Sequence, residues 1–217
     1  MNKRWRLLLA LLWILFVLYP NPVMLATTIG RTISPPEDAD AVGELARTLP
    51  DDPNKIRDLV LTKYVPYDYD WNVYGVPWYF PSTKEVLADR RGDCESQAIF
   101  LASVLKAKGI PHQLKMTFDH IWVDFEGKQA NEMENDAVAF VQRDGSNFQI
   151  KMPEEFNFRE YLTIQIDARW RPMPLGRKVL LILGIVAIGL GNSLLALVYD
   201  WAGALWSNRA QAKRPVG

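Results

Sequence analysis

The sequence predicts a mixed domain, with helices first and an antiparallel sheet after them, held between two membrane segments. An apolar run covers residues 7–19, and a run without charge covers residues 179–199. Between these runs, apolar residues recur at helical spacing up to residue 108 and then alternate in period two from residue 113. A chain of 217 residues has room for one domain of ordinary size between the two segments.

The charge distribution excludes one class of partner. Residues 27–176 contain 17 of the 25 basic residues and 24 of the 25 acidic residues, a net charge of −7. Because nucleic acids bind basic surfaces, we expect no nucleic-acid partner. One cysteine and two histidines, without ligand spacing, give no reason to expect a metal or another cofactor.

The two apolar runs set the predicted domain boundaries. The second run is long enough to span a bilayer. The first has the length of a signal-peptide core but a poor cleavage signal, which favours an uncleaved anchor over a cleaved signal peptide. The prediction is a signal anchor at 1–26, a domain at 27–176, a transmembrane helix at 177–200 and a basic cytoplasmic tail at 201–217.

Basic residues at both ends predict the orientation. They are Lys3, Arg4, Arg6, Arg209, Lys213 and Arg214. Cytoplasmic flanks of membrane segments are enriched in such residues, so both tails are predicted to be cytoplasmic and the domain extracytoplasmic. Gly189 and Ser193, with a matching pair at Ala187 and Gly191, form small-residue spacings that would admit a helix of a membrane-protein partner.

Cys94 is the first candidate catalytic residue. Asp93 is predicted as the N-cap of an apolar helix that stops at Gly109, which puts Cys94 in the first turn. Unpaired N–H groups and the helix dipole favour a thiolate there, so the sulfur is a candidate nucleophile at neutral pH. The alternative is that Cys94 is simply a small buried apolar residue.

His120 is the second candidate. It falls in a segment at 119–125 that alternates in period two and is predicted as a strand. A helix packed on this sheet would bring the Cys94 sulfur within hydrogen-bond reach of the ring. The alternative is a satisfied histidine on a sheet face. His112 is interpreted as structural, and Asp124 as a solvated strand residue.

Several linked motifs carry a family resemblance over roughly residues 53–135. They are Gly92-Asp93-Cys94, an apolar helix, Gly109-Ile110-Pro111, a strand, and His120-Ile121-Trp122-Val123, preceded by Tyr67-Asp68-Tyr69-Asp70-Trp71. This order resembles the transglutaminase-like cysteine-enzyme superfamily, which is related to papain. The resemblance implies an α+β fold with a papain-like core, in which a nucleophile helix packs on an antiparallel sheet. It also implies Cys94 as nucleophile, His120 as general base and acid, and a third polar residue that orients the imidazole.

The third residue departs from the family pattern, which usually has an aspartate on the next strand. A two-residue turn at 126–127 makes Asn131 a same-face neighbour of His120, whereas a three-residue turn places Glu132 opposite, with Glu134 as its neighbour. We predict Asn131, because its amide oxygen can accept the imidazole Nδ1–H. Glu132 and Glu134 stay as alternatives.

The remaining segments are predicted more coarsely. Residues 66–81 are dense in aromatic side chains that either wall a substrate cleft or cover the core. Residues 137–142 and 148–152 are predicted as strands, and 163–166 as a possible last strand. Nothing in residues 153–171 indicates chemistry.

The predicted function follows from the resemblance and the candidate pair. It is a membrane-anchored cysteine enzyme that acts on an amide or peptide bond of a protein or peptide, by hydrolysis or acyl transfer through a thioester. The alternative is a non-catalytic binding module, or a subunit of a membrane complex, that keeps the fold.

Overall fold

A computed structural model describes residues 2–117, 120–129, 141–144, 147–150 and 158–191 of the chain. The helices are α1 Lys3–Leu18, α2 Pro22–Ile33, α3 Gly43–Thr48, α4 Pro53–Leu59, α5 Asp70–Val73, α6 Thr83–Asp89, α7 Cys94–Ala107, α8 Phe158–Gln165 and α9 Leu175–Gly191. The strands are β1 His112–Met116, β2 Ile121–Phe125, β3 Val141–Asp144 and β4 Asn147–Ile150. The fold is therefore α+β, and it forms two compact units, one of Met1–Pro20 with Pro174–Gly217 and one of Asn21–Met173.

The first unit contains α1 and α9, which pack antiparallel. Three side chains donate hydrogen bonds to backbone carbonyls across the pair: Trp13 to Leu180 at 3.2 Å, Arg6 to Gly189 at 3.2 Å and Arg177 to Val17 at 2.9 Å. The start of α1 thus meets the end of α9. A Cβ built on Gly184 would overlap the Trp13 indole, so the absent side chain is what admits the ring.

Among the described residues, two pairs of helices are long enough to span a membrane, but no single helix is. Within the described residues, no single helix is long and apolar enough to cross a membrane. The pairs Lys3–Leu18 with Pro22–Ile33 and Leu162–Trp170 with Leu175–Gly191, each broken by a bend, meet the length and composition requirement together. Residues 192–199 of the predicted second span and the tail at 201–217 lie outside the described residues.

The second unit is built around α7, as the apolar pattern predicted. Its side chains from Ala98 to Leu105 are buried. They pack against β1 and β2 on one side and against α3, α4 and α6 on the other. The helix ends at Gly109, whose φ of 69° is the left-handed conformation that glycine adopts without strain.

The sheet is antiparallel throughout, with strand order β2-β1-β3-β4. Met116 pairs with Ile121, so the connection between β1 and β2 is tight, and the Thr117 N–H donates to the His120 carbonyl at 2.8 Å. The predicted strands at 137–142 and 148–152 are confirmed where they coincide with β3 and β4; residues 137–140 and 151–152 lie outside the described residues. The predicted partner strand for β2, at 128–135, lies outside the described residues from residue 130 onward.

One predicted element is wrong. Residues 163–166 belong to α8 and to the single π-helical turn Ile166–Trp170 that continues it, not to a strand. The alternation of Thr163 to Ile166 is only four residues long. The wider spacing of Leu162, Ile166 and Trp170 is that of a helix, and it decides the structure over the longer window.

Candidate active site

A close backbone contact positions the start of α7. The Gly92 N–H donates to the Pro66 carbonyl at 3.2 Å, and the Asp68 N–H donates to the Gly92 carbonyl at 3.0 Å. A Cβ built on Gly92 would overlap the side chain of Ser96, which is fully buried. Glycine is therefore required for the chain to enter α7 beneath residues 66–68.

The Cys94 thiol is half-buried and contacts two groups. Its S–H donates to Glu95 Oε2 at 2.9 Å. The backbone N–H of Ile121 lies close enough to the sulfur to lower the pKa of the thiol. Ile121 is the first residue of β2 and directly follows His120, so the fold brings the sulfur to the chain segment that carries the histidine.

His120 lies just before β2, in the connection from β1, rather than on the strand itself. Its N–H donates to Thr117 Oγ1 at 2.9 Å, and its ring stacks on Trp122 with 5.7 Å between the centroids. His120 lines a cavity of ≈ 340 Å³ together with Glu95 and Trp78. The structure thus places His120 and Glu95, the residue after Cys94, on one cavity, while Asn131, Glu132 and Glu134 lie outside the described residues.

Glu95 links the cysteine to this cavity. One carboxylate oxygen accepts a hydrogen bond from the Cys94 thiol, and the other accepts a hydrogen bond from the Trp78 indole N–H at 2.8 Å. The sequence analysis missed Glu95, because an acidic residue in the first turn of a helix is ordinary. Its position directly after the only cysteine was the available signal.

Asp93 does not act as the predicted side-chain cap. It occupies the N-cap position without a capping hydrogen bond, and its carboxyl contacts those of Asp70 and Glu95 at hydrogen-bond range. Asp70 is 4 % exposed and accepts the Tyr79 N–H at 2.6 Å. In the described part of the chain, no N–H or hydroxyl donor reaches Oδ1 of either aspartate.

The two aspartates share a proton. Burial, and then the nearby Glu95 carboxylate, raise the pKa of Asp70 well above its usual range. Burial, Glu95 and Asp70 raise the pKa of Asp93 in the same way. Two buried carboxyls in contact cannot both ionise cheaply, so one donates a hydrogen bond to the other.

The expectation of a thiolate at Cys94 is wrong for the resting protein. Burial, followed by the carboxyls of Glu95 and Asp93, raises the pKa of the Cys94 thiol, and the Ile121 N–H only partly opposes them. A helix N-terminus stabilises an anion by roughly 0.3–1 kcal/mol, too little to outweigh two adjacent carboxyls. The resting sulfur is therefore a thiol.

An open cleft of ≈ 440 Å³ reaches the sulfur. Its walls are three aromatic side chains of the 66–81 loop (Tyr67, Tyr69, Trp78) and four residues of the α8 segment (Ile164, Gln165, Ala168, Arg169). The aromatic loop divides between the core and the cleft, since Trp71 and Phe80 are buried in the domain while Trp78 lines the cleft.

Arg169 is a site residue that the sequence analysis missed, because residues 153–171 were interpreted as having no chemistry. Its guanidinium lies 5.7 Å from the centroid of the Trp78 ring. Its carbonyl accepts the Trp71 indole N–H. A lone arginine near a predicted membrane segment gave no signal of this role.

Among the described residues, one group of side chains has the spacing of metal ligands. Ligand atoms of Asp93, Cys94 and Glu95 lie within 4.8 Å of one another. Hydrogen bonds among the three account for their proximity, so the arrangement gives no reason to add a metal to the predicted site.

The two remaining polar candidates are structural. The His112 ring donates from Nδ1 to the Ile110 carbonyl at 2.9 Å, and its Nε2 lies 3.7 Å from Glu37. Asp124 pairs with the buried Lys115 at 2.7 Å across β1 and β2, so it is more than a solvated strand residue.

Comparison with known proteins supplies no relative. No protein-family model matches the chain, and searches of curated proteins and of solved structures find no match.

Proposed function

We propose that the protein is a cysteine enzyme of the transglutaminase-like kind that cleaves or transfers the acyl part of an amide or peptide bond. The observation that carries the proposal is the meeting of the Cys94 sulfur with the Ile121 N–H. It joins the first turn of the central helix to the residue after His120. A cysteine at the start of a helix, followed along the chain by a histidine just before a strand, also supports a papain-like core for the α+β domain.

The chemistry follows from the contacts of the sulfur. In the resting protein Glu95 holds the thiol proton and keeps the sulfur uncharged. When an amide enters the cleft, His120 accepts the proton, the sulfur attacks the carbonyl carbon, and N–H groups of the first turn of α7 stabilise the oxyanion. The C–N bond then breaks, and His120 returns the proton to the leaving amine.

The resulting thioester has two fates. Water releases a carboxylic acid, and a second amine forms a new amide; either regenerates the Cys94 thiol. The open cleft admits both. Asn131 is the proposed acceptor that orients the imidazole, with Glu132 and Glu134 as the other candidates.

An acyl probe tests the proposal without knowledge of the natural substrate. The full-length protein in detergent is incubated with 4-nitrophenyl acetate, and acetylation of Cys94 is followed by intact mass and peptide mapping. We expect acetylation and repeated turnover in the wild type, none in Cys94→Ser, and acetylation roughly 10²-fold slower or more in His120→Ala. Equal acetylation of Cys94 in wild type and His120→Ala would contradict the catalytic pair.

A non-catalytic binding module is the second candidate, and the raised pKa of the Cys94 thiol favours it. An inert structural thiol has the same environment. The two functions differ in one outcome: a binding module leaves the nitrophenolate release rate unchanged when Cys94 is replaced by serine.

A further inference from the structure

We propose that the outer faces of α2 and of the α8 segment, from Phe158 to Trp170, rest on a lipid bilayer, and that the Cys94 cleft therefore takes amides anchored in that leaflet. The choice of substrate rests on the proposed function. The contact with the bilayer does not.

The polar side of α2 faces the domain. Thr28 is fully buried and accepts the Phe80 N–H at 3.3 Å. The Arg31 guanidinium donates to the Phe80 carbonyl at 3.1 Å and pairs with Glu85 at 2.6 Å. A surface helix in water has the opposite arrangement, with its apolar stripe toward the core.

The other side of α2 is apolar and exposed. Val23 is 65 % exposed, Ile29 49 % and Ile33 64 %, and Ala26 is exposed between them. At 100° per residue these four positions fall within one third of the helix circumference, opposite Thr28. This stripe has the composition of a helix that lies in the membrane interface.

The α8 segment combines an apolar outer face with a cleft wall. Leu162, Ile166 and Trp170, spaced by four, are 43 %, 49 % and 40 % exposed. The cleft is lined from the same segment by Ile164, Gln165, Ala168 and Arg169. Whatever covers the outer face therefore lies one helix away from the cleft.

Chain continuity identifies the cover as lipid. α2 follows α1 after three residues, and α9 begins five residues after Trp170. Beyond Lys3 and Arg4 at the start of α1, large apolar side chains are exposed along α1 and α9: Trp5, Leu7, Leu8, Leu9, Leu11, Leu12, Leu15, Phe16, Leu175, Val179, Leu180, Ile182, Leu183, Ile185, Val186 and Leu190. Each outer face thus continues into a helix with the surface composition of a membrane segment, and Trp170 at the junction is a residue type enriched at membrane interfaces.

A cleft beside the bilayer surface selects its substrates. An amide tethered to the same leaflet is held at high effective concentration near the Cys94 sulfur, whereas a soluble amide must arrive by diffusion. The class of substrate that this geometry favours is a lipid-anchored peptide or N-acyl amide.

The first arm of the test measures depth and needs no activity. In a full-length Cys94→Ser background, single cysteines at position 29 or 166 carry an NBD label in phosphatidylcholine nanodiscs. Leu87→Cys is the matched control, because Leu87 is an exposed leucine on α6, which belongs to neither face. We expect doxyl-labelled lipid to quench positions 29 and 166 about twofold or more and to leave position 87 unchanged. Equal emission at all three positions would overturn the bilayer contact.

The second arm measures substrate choice with two probes that share one scissile carbonyl, the 4-nitrophenyl esters of N-acetylglycine and N-palmitoylglycine. With the wild type in phosphatidylcholine vesicles, we expect Cys94 to be acylated about tenfold faster or more by the anchored ester. Leu162→Ser with Ile166→Ser should reduce that ratio and leave the rate with the soluble ester unchanged. Val23→Ser on α2 is a milder second variant.

The two failures are distinguishable. If neither ester acylates Cys94, the proposed function is wrong, and the depth measurement still decides the bilayer contact. If both acylate it at equal rates in vesicles, the function stands and the choice of anchored substrates is wrong.

Discussion

Carboxyl side chains lie near both ends of α7, but their pKa values are shifted in opposite directions. At its start, the carboxyls of Glu95 and Asp93 lie beside the Cys94 thiol and Asp70 contacts Asp93, and burial and mutual repulsion raise the pKa of both aspartates. Beyond its end, Glu37 is matched by cations, since His112 lies at 3.7 Å and Lys106 at 3.5 Å.

The end of α7 shows how this fold satisfies polar groups when only stability is at stake. The hydrogen bond from His112 holds the pKa of Glu37 below its usual value. Lys108 donates to the Ala46 and Leu49 carbonyls and pairs with Asp51 at 2.9 Å. By contrast, carboxyls with a raised pKa are typical of functional sites, which makes the start of α7 the candidate site of the domain.

The largest expected effect concerns the backbone at each end. Gly92→Ala should destabilise the domain by about 3 kcal/mol, because the new Cβ overlaps Ser96 and neither backbone partner can move. Gly109→Ala is the matched change. The added Cβ meets open space there, so the only loss of stability comes from holding alanine at a left-handed φ, about 1 kcal/mol. Urea unfolding of the full chain in detergent measures both losses of stability. Equal losses would show that the backbone at the start of α7 is packed no more tightly than the backbone at its end.

The next effect concerns the shared proton. Asp70→Asn keeps an oxygen for the Tyr79 N–H and offers an N–H to Asp93, so it should raise the free energy of unfolding at pH 8 by about 2 kcal/mol. The wild-type carboxyls have a raised folded pKa, so the unfolded chain loses these protons first, and stability falls as pH rises from the unfolded value of about 4 toward the folded value. The gain should therefore be small at pH 4.

Asp70→Ala is the control for that gain. It removes the acceptor of the Tyr79 N–H and should destabilise the domain at both pH values. If Asp70→Asn is neutral or destabilising at pH 8, ionisation of the two aspartates does not destabilise the folded domain at that pH.

A smaller effect tests what the carboxyls do to the sulfur. Glu95→Gln removes the nearest negative charge and should speed iodoacetamide alkylation of Cys94 at pH 7.5 about tenfold, as one unit of pKa would. Glu44→Gln, a change at an exposed ion pair, should leave the rate unchanged. An unchanged or slower rate in Glu95→Gln would mean that Glu95 does not suppress the thiolate.

The sequence predicted the helices and strands better than it predicted the chemistry of the site. A local pattern with a strong physical cause was confirmed: the apolar helix that begins at Cys94 stops at Gly109. The segment at 163–166 failed because a four-residue alternation was too short to compete with a helical spacing over nine residues.

The candidate site could be predicted only where residues of one segment act together. Cys94 was found from its place in a helix start, and His120 from its order in the chain. The roles of Asp70 and Arg169 depend on contacts between residues at least 23 positions apart in the sequence, to Asp93 and to Trp71 and Trp78. No local pattern encodes such contacts, which is why Asp93 was predicted as a cap and the thiol as a thiolate.

The smallest expected effect lies at the end of α7. Glu37→Gln should cost about 0.5–1 kcal/mol near pH 6, the usual value of a partly exposed ion pair. Glu37 has a lowered folded pKa, so its contribution is present above the unfolded value of about 4.3 and is lost as pH falls through the folded one. Burial alone would lower the pKa of His112, but its hydrogen bonds to Glu37 and Ile110 raise it. Its contribution is therefore present below about 6.5 and is lost as pH rises through the folded value. Thermal unfolding at pH 6 and pH 9 should show the loss at the lower pH and little at the higher, and a loss of equal size at both would mean that Glu37 acts through Lys106 instead of His112.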